Sequence, residues 1–381
     1  MRIDNSCNLF IATGLALLAS SVAQAAPLTA IDTEREAAAA TLAVLEIPAG
    51  ADGMIWSPID EINNALVDVR RVATYADLAS TPGGVTVPCL TSGSITAQLA
   101  PNDPRLLLLR WNRCKEVLGG LATSMHGPAS LRLPSESLAP ERSTAIRIGG
   151  SREFVMQFGL ARNSYDFSLA GDIQLVSTVD ASGNEVRHNA YEITGYSRIE
   201  QLDSRPGFPP TSVRRVVADR LQETVDQTLA YATYGISTIE QRIQRGSLQF
   251  VETNPAAQID RDQRWAFRNF HRSVAEDLAV STIDTRLRGA VQVRSTDHGR
   301  RDCLHGSYAF VTTAPLHEEN FEEGYRSGEL GINAAVVSRF SQGSAPQTFG
   351  VNISVENLGA FDYQGPSTRA ALIAPAGCDA Q

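Results

Sequence analysis

Gly171-Asp-Ile-Gln-Leu-Val-Ser-Thr178 recurs as Gly246-Ser-Leu-Gln-Phe-Val-Glu-Thr253, as Gly289-Ala-Val-Gln-Val-Arg-Ser-Thr296 and as Gly306-Ser-Tyr-Ala-Phe-Val-Thr-Thr313. A frayed fifth copy, Gly127-Pro-Ala-Ser-Leu-Arg-Leu133, lies upstream. After each glycine, apolar and polar residues alternate, which makes a strand with one apolar face. The glycine itself supplies a bend, a bulge or a close backbone approach. Internal repetition of this kind decides the fold class before any single residue does.

Working outward, an aromatic segment precedes four of the copies. Leu108–Trp111 precedes Gly127, Phe154–Phe158 precedes Gly171, Leu229–Tyr234 precedes Gly246, and Trp265–Phe270 precedes Gly289. The gaps from last aromatic to glycine are 16, 13, 12 and 19 residues. That length predicts a unit of three strands: an aromatic strand, a second strand, then the glycine strand. Asp180–Asn184 reads as the turn of one hairpin, between Ile173–Val179 and Val186–Ile193. Stacked edge to edge, such units give a mainly β chain. Its antiparallel hairpins form a curled sheet or open barrel with one face buried.

Ahead of the β-rich region, residues 26–80 read as a helical segment. Thr33-x-x-Glu36 fits a capping box before the helix-forming run Ala37–Leu45. A second helix starts at Ser57 and Pro58, with Ile59, Ile62, Leu66, Val69, Ala73 and Ala76 on one apolar face. Thr81–Gly84 ends it. Residues 1–25 read as a secretory signal, with an apolar stretch from Leu9 to Ala19 and small residues at Ala23 and Ala25. The expected organisation is therefore a signal over 1–25, a helical segment over 26–80 and a β-repeat domain over 81–381. Export follows, to the periplasm, the outer cell surface or the medium.

The chain of 381 residues carries 33 Lys+Arg against 42 Asp+Glu, a net charge of −9. That balance excludes a general nucleic-acid binder, which needs a basic footprint. Beyond the N-terminus no apolar run is long enough for a transmembrane helix. Charge is uneven along the chain. From Arg205 to Arg301 there are 15 Arg against 11 Asp/Glu, and after Cys303 there are three against eight. The basic middle offers a face for an anionic envelope component, against the plainer reading of a solvated outer face. Lys115 is the single lysine.

Four cysteines remain after the signal: Cys89, Cys114, Cys303 and Cys378. An even number in an exported chain points to two disulfides. Of three possible pairings, the local one, Cys89 with Cys114 and Cys303 with Cys378, is preferred. Pro88-Cys89, Gly93-Ser94-Ile95-Thr96 and the strand end Trp111-Asn112-Arg113-Cys114, followed by repeated glycine strands, carry a resemblance. The chain resembles a loose group of uncharacterised secreted, disulfide-bonded β-repeat proteins of Gram-negative bacteria. Leu90-Thr91-Ser92-Gly93 departs from the more glycine-rich start of that group. The resemblance implies an exported β-repeat protein with a first disulfide, and no activity.

No nucleophile elbow, zinc-protease motif, phosphate loop or dinucleotide fingerprint occurs, so no catalytic residue is assigned and no cofactor or metal is expected. The densest local cluster is Asp297, His298, Asp302, Cys303 and His305, with His317, Glu318 and Glu319 downstream. Imidazoles and carboxylates at that spacing are possible metal ligands, set against a polar turn entering a disulfide-pinned strand. Trp111, Phe158, Tyr234, Trp265 and Phe270 are candidate ligand-facing aromatics, with core filling as the alternative. Three functions fit. The preferred one is a non-catalytic secreted or envelope protein that binds a partner or assembles. The second is a carrier of an apolar ligand in the hollow of the sheet, with the second helix packed over or into it. The third is a hydrolase with a non-local active site.

Overall fold

The computed structural model describes residues 27–48, 50, 62, 64–118, 121–133, 135–138, 146–148, 153–158, 162–204, 212–319, 323–345 and 347–378. The expected signal, and Ser57, Pro58 and Ile59 of the second helix, lie outside them.

The chain is mainly β. β1 (Val85–Pro88), β2 (Ser92–Ala100), β3 (Asp103–Leu118) and β4 (Leu121–Arg132) form an antiparallel ladder in chain order. β5 (Ile146–Ile148) bridges it to the rest, pairing with two residues of β4 and three of β7 (Arg162–Val179). β6 (Glu153–Phe158) pairs with another stretch of β7. The long strands follow: β8 (Glu185–Ser204), β9 (Ser212–Leu229), β10 (Ile236–Asn254), β11 (Ile259–Asp277) and β12 (Thr282–Asp297), each antiparallel to the one before. The two-residue β13 (Arg300–Arg301) folds back on β12, which also pairs directly with β14 (Gly306–Glu319). β15 (Ser327–Ile332), β16 (Val336–Gln342), β17 (Phe349–Val355) and β18 (Gly359–Gly365) complete the meander. Among the described residues β1 pairs only with β2 and β18 only with β17, so the sheet stays open.

The repeat glycines mark where the sheet bends. At Gly246 (φ +122°) a Cβ would sit 2.4 Å from Leu221 Cα, and the β9–β10 register slips there. The facing residue Arg220 is left-handed (φ +47°). Gly289 (φ +133°) repeats this against β11, with Asn269 as the left-handed residue (φ +48°). Each pair is a β-bulge that needs glycine on the opposite strand. Gly127 (φ +131°) shares the device opposite Arg113 (φ +51°), whereas beside Gly171 the register slips without a positive φ. Gly306 does not share it: it starts β14 after the disulfide turn.

Two expectations are corrected. The unit has two strands, not three: Trp111 lies directly opposite Gly127, and Trp265–Phe270 sits on the strand next to Gly289. Leu229–Tyr234 is also not a strand. β9 ends at Leu229, and residues 231–234 turn. Ala230 accepts from the backbone N–H groups of Thr233 and Gly235 and closes a tight loop there. The Asp180 turn is as read. Its carboxylate accepts from the N–H groups of Ser182 and Asn184, which holds its pKa below the ordinary value, with the Asn184 N–H the largest cause.

The hollow of the curled sheet contains a helix. α1 (Glu34–Leu45) is capped by Thr33, whose hydroxyl accepts from Glu36 N–H, and the Glu36 carboxylate takes Asp32 N–H. All eight residues from Ala37 to Val44 are buried. A surface helix buries one stripe; one buried all round lies inside a core. Four consecutive alanines let backbone approach it closely. α1 packs on β14, β15, β17 and α4 (Thr368–Ile373) and belongs to the same apolar core as the sheet's inner face. A second helix, α2 (64–72), buries Ala65, Leu66 and Val69 but exposes Val72. The expected continuous face stops at Ala73. Thr74 then caps a new short helix, α3 (Tyr75–Ser80), through a reciprocal capping box with Asp77, and Leu78 rather than Ala76 is buried. α1 thus lies in that core, and Ile62, Ala65, Leu66 and Val69 of the second helix belong to the same core.

Both disulfides pair locally, Cys89 with Cys114 and Cys303 with Cys378. The second, spanning 75 residues, ties α4 and the C-terminal turn to the β13–β14 connection. By loop entropy, a closure of that size contributes about 4–5 kcal/mol.

Candidate functional site

Two places compete as functional sites: the hollow of the sheet, and a cleft beside the second disulfide. The hollow is lined as the aromatic pattern suggests. Trp111, Trp265 and Phe270 are almost fully buried. Phe270 stacks at a tilt on Phe267 and Phe310, with ring centres 5.6 and 6.2 Å away. These rings pack against the chain's own core rather than an open cavity. Phe158 ends β6 opposite Asn163, and its side chain lies outside those described. Tyr234 leaves the set altogether: it is 74% exposed at the tip of the β9–β10 loop.

The far end of α1 meets polar groups of the sheet. α1 has no basic residue in its last turn. Arg272 of β11 supplies one: its Nη2 donates to Ile47 O at 2.9 Å, just beyond the helix, where a cation complements the macrodipole. Burial pulls the Arg272 guanidinium below its ordinary pKa, with the charges of Tyr325 and Glu223 working against that. Gln241 donates to Glu223 at 2.7 Å beside it, and Gly50 is pressed so close that any side chain there would strike this pair. Burial raises the Glu318 pKa, and burial with the Glu318 charge pushes the Tyr325 phenol up to about 12. Sequence reasoning missed Arg272, because nothing in a β-strand marks one arginine of many as a helix partner.

The cleft holds most of the predicted Asp/His cluster. It has a volume of about 470 Å³ and draws on four distant segments. α1 contributes Arg35 and Glu46; the start of β11, Arg261; the β12–β13 turn, Asp297, His298, Arg300 and Arg301; α4 and the C-terminal turn, Arg369 and Cys378. Several of the residues weighed as metal ligands have other partners. Cys303 is oxidised, and Asp302 accepts from its N–H at 2.5 Å and from Ser295 Oγ at 2.8 Å. His298 Nε2 lies 2.7 Å from Gln258 O, and His305 Nε2 lies 2.9 Å from Arg301 Nη2. Burial and the charges of Arg301 and Arg294 lower the His305 pKa, partly offset by a hydrogen bond with Ser295 backbone. His317 pairs elsewhere, with Asp284 at 2.7 Å, and Glu318 faces Tyr325. The arginines at 35, 261 and 369 and Glu46 come from too far along the chain to be grouped by spacing.

Histidines and carboxylates also meet on the outer face of the sheet. His188 pairs with Asp226, and His271 with Glu240, both at 2.5 Å, and Arg242 bridges the two carboxylates. Ser273 Oγ donates to Glu240, not to His271. A hydrolytic triad needs the imidazole between hydroxyl and carboxylate; here the carboxylate lies between the other two.

The comparisons with known proteins add no relative: no family model, no curated protein and no solved structure matches this chain.

Proposed function

We propose that this is an exported, non-catalytic envelope or secreted protein that acts by binding or assembly through the open edges of its sheet. The observation that carries the reading is the filled hollow. α1 occupies the space an apolar cargo would need, while β1 and β18 keep one edge each without a partner strand among the described residues. Unpaired edges are templates for strand addition. β18 offers seven residues, with Ala360, Asp362 and Gln364 exposed. Two local disulfides fit an oxidising compartment, and the resemblance around Cys89–Cys114 points the same way.

The test is a concentration series in light scattering on the mature chain, with Ala360→Lys on β18 and Thr86→Lys on β1 as edge-blocking variants. Both positions are exposed, so the fold is expected to survive. The expected result is self-association that the edge lysines reduce. A strictly monomeric chain that co-purifies with a discrete apolar mass would overturn the reading in favour of a carrier.

A further inference from the structure

We infer that the cleft beside the Cys303–Cys378 disulfide binds a small molecule, or one terminal group of a larger one, that carries a carboxylate or phosphate. The inference stands apart from assembly through the strand edges.

Five arginines and three carboxylates line the cleft, in a chain whose net charge is −9. The carboxylates do not neutralise the arginines one for one. Glu46 is taken by Arg369, Nε to Oε1 at 2.6 Å. Asp302 has both oxygens committed to Ser295 and to its own turn. Asp297 has one oxygen, Oδ1, closed off from solvent without a hydrogen-bond donor, so no arginine of the cleft holds it.

The arginines are correspondingly under-used. Arg261 and Arg300 make no ion pair among the described residues. Arg301 turns to a neutral acceptor, His305 Nε2. Among the described residues Arg35 makes only long donations, 3.4 Å each, to the carbonyls of Ala376 and Gly377. Guanidinium groups gathered from separate segments repel one another unless an anion sits among them. Their planar donor forks match the paired oxygens of carboxylate and phosphate. The disulfide and the buried face of α1 make the floor rigid, so little ordering is needed on binding. A volume of about 470 Å³ suits a sugar-sized ligand.

The test is isothermal titration of the mature chain at low salt with three probes: inorganic phosphate, glucuronate and glucose. Saturable one-site binding of phosphate or glucuronate, weakened by salt, is expected, with no heat from glucose. Whichever anion binds more tightly assigns the head group. Arg261→Gln/Arg300→Gln is expected to weaken that binding by about tenfold or more with an unchanged melting temperature. Arg300→Lys, which keeps the charge but loses the fork, falls between. Arg242→Gln, on the outer face, leaves binding as it was. Absence of saturable binding by either anion overturns the inference, as does binding that survives the double substitution.

Discussion

Thr41 and Ser338 give the most searching test of the packing of α1. Both residues are fully buried, and their hydroxyl oxygens lie 2.7 Å apart, one on the helix and one on β16. Thr41 Oγ1 also donates to Ala37 O at 2.9 Å. Its single proton is therefore spent within the helix, and Ser338 must donate to Thr41. Thr41→Val keeps the shape but strands the Ser338 hydroxyl in a site sealed from water, at about 1–3 kcal/mol. Ser338→Ala leaves the Thr41–Ala37 bond intact and costs less, about 0.5–1.5 kcal/mol. In the double variant neither group remains to be stranded, so it should be more stable than Thr41→Val alone, with a coupling energy of about 1 kcal/mol or more. For a chain of this length the unfolding entropy is about 0.8 kcal/mol/K, so Thr41→Val should lower the melting temperature by about 1–4 °C. Differential scanning calorimetry on the four proteins reads both quantities. Strictly additive costs, or no effect of Thr41→Val, would refute a helix seated on β16.

Other consequences follow from the bulges and the outer face. Gly246→Ala drives a Cβ into Leu221 backbone and is expected to cost above about 4 kcal/mol or to prevent folding. Gly183→Ala, also at positive φ but in open space, should cost only about 1–2 kcal/mol, and equal losses in thermal melts would sink the bulge account. The Glu240 carboxyl is held below its ordinary value of 4.5. Burial opposes this, and the bonds from Ser273 and His271 with the charges of His271 and Arg242 outweigh it. A lowered carboxyl pKa means stability that is present above the ordinary value and lost as pH falls below it. Melting temperature should therefore fall less steeply for Glu240→Gln than for wild type as pH drops through about 4.5; parallel curves would contradict the assignment.

Local chemistry was legible in the sequence wherever it acts over a few residues. Thr33 caps α1 as its spacing to Glu36 suggests, Asp180 closes its hairpin, and the cysteines pair with their nearer partners. The repeat glycines announced a bend, since only glycine tolerates the backbone approach at Gly246 and Gly289. What spacing could not carry was placement. The alanines of α1 imply a buried helix but not which sheet surrounds it. Tyr234 looked like the end of an aromatic strand, but the loop closed through Gly235 sends it to solvent. The Asp297–His305 cluster read as a polar turn, with metal ligation as the lesser alternative, and its meaning changes once Arg35, Arg261 and Arg369 arrive from other segments. Net charge and local counts do not report such convergence.

Hydrogen exchange of α1 tests the central claim, that the protein fills its own sheet, most directly. The protein is exchanged under native conditions and peptides covering residues 34–45 are followed by mass spectrometry. Amides of a helix buried on every side should exchange only as fast as the core strands β11 and β12, through global unfolding. Exchange of α1 well ahead of those strands would mean that the helix leaves the hollow while the sheet stays folded, and that the space is open to a ligand after all.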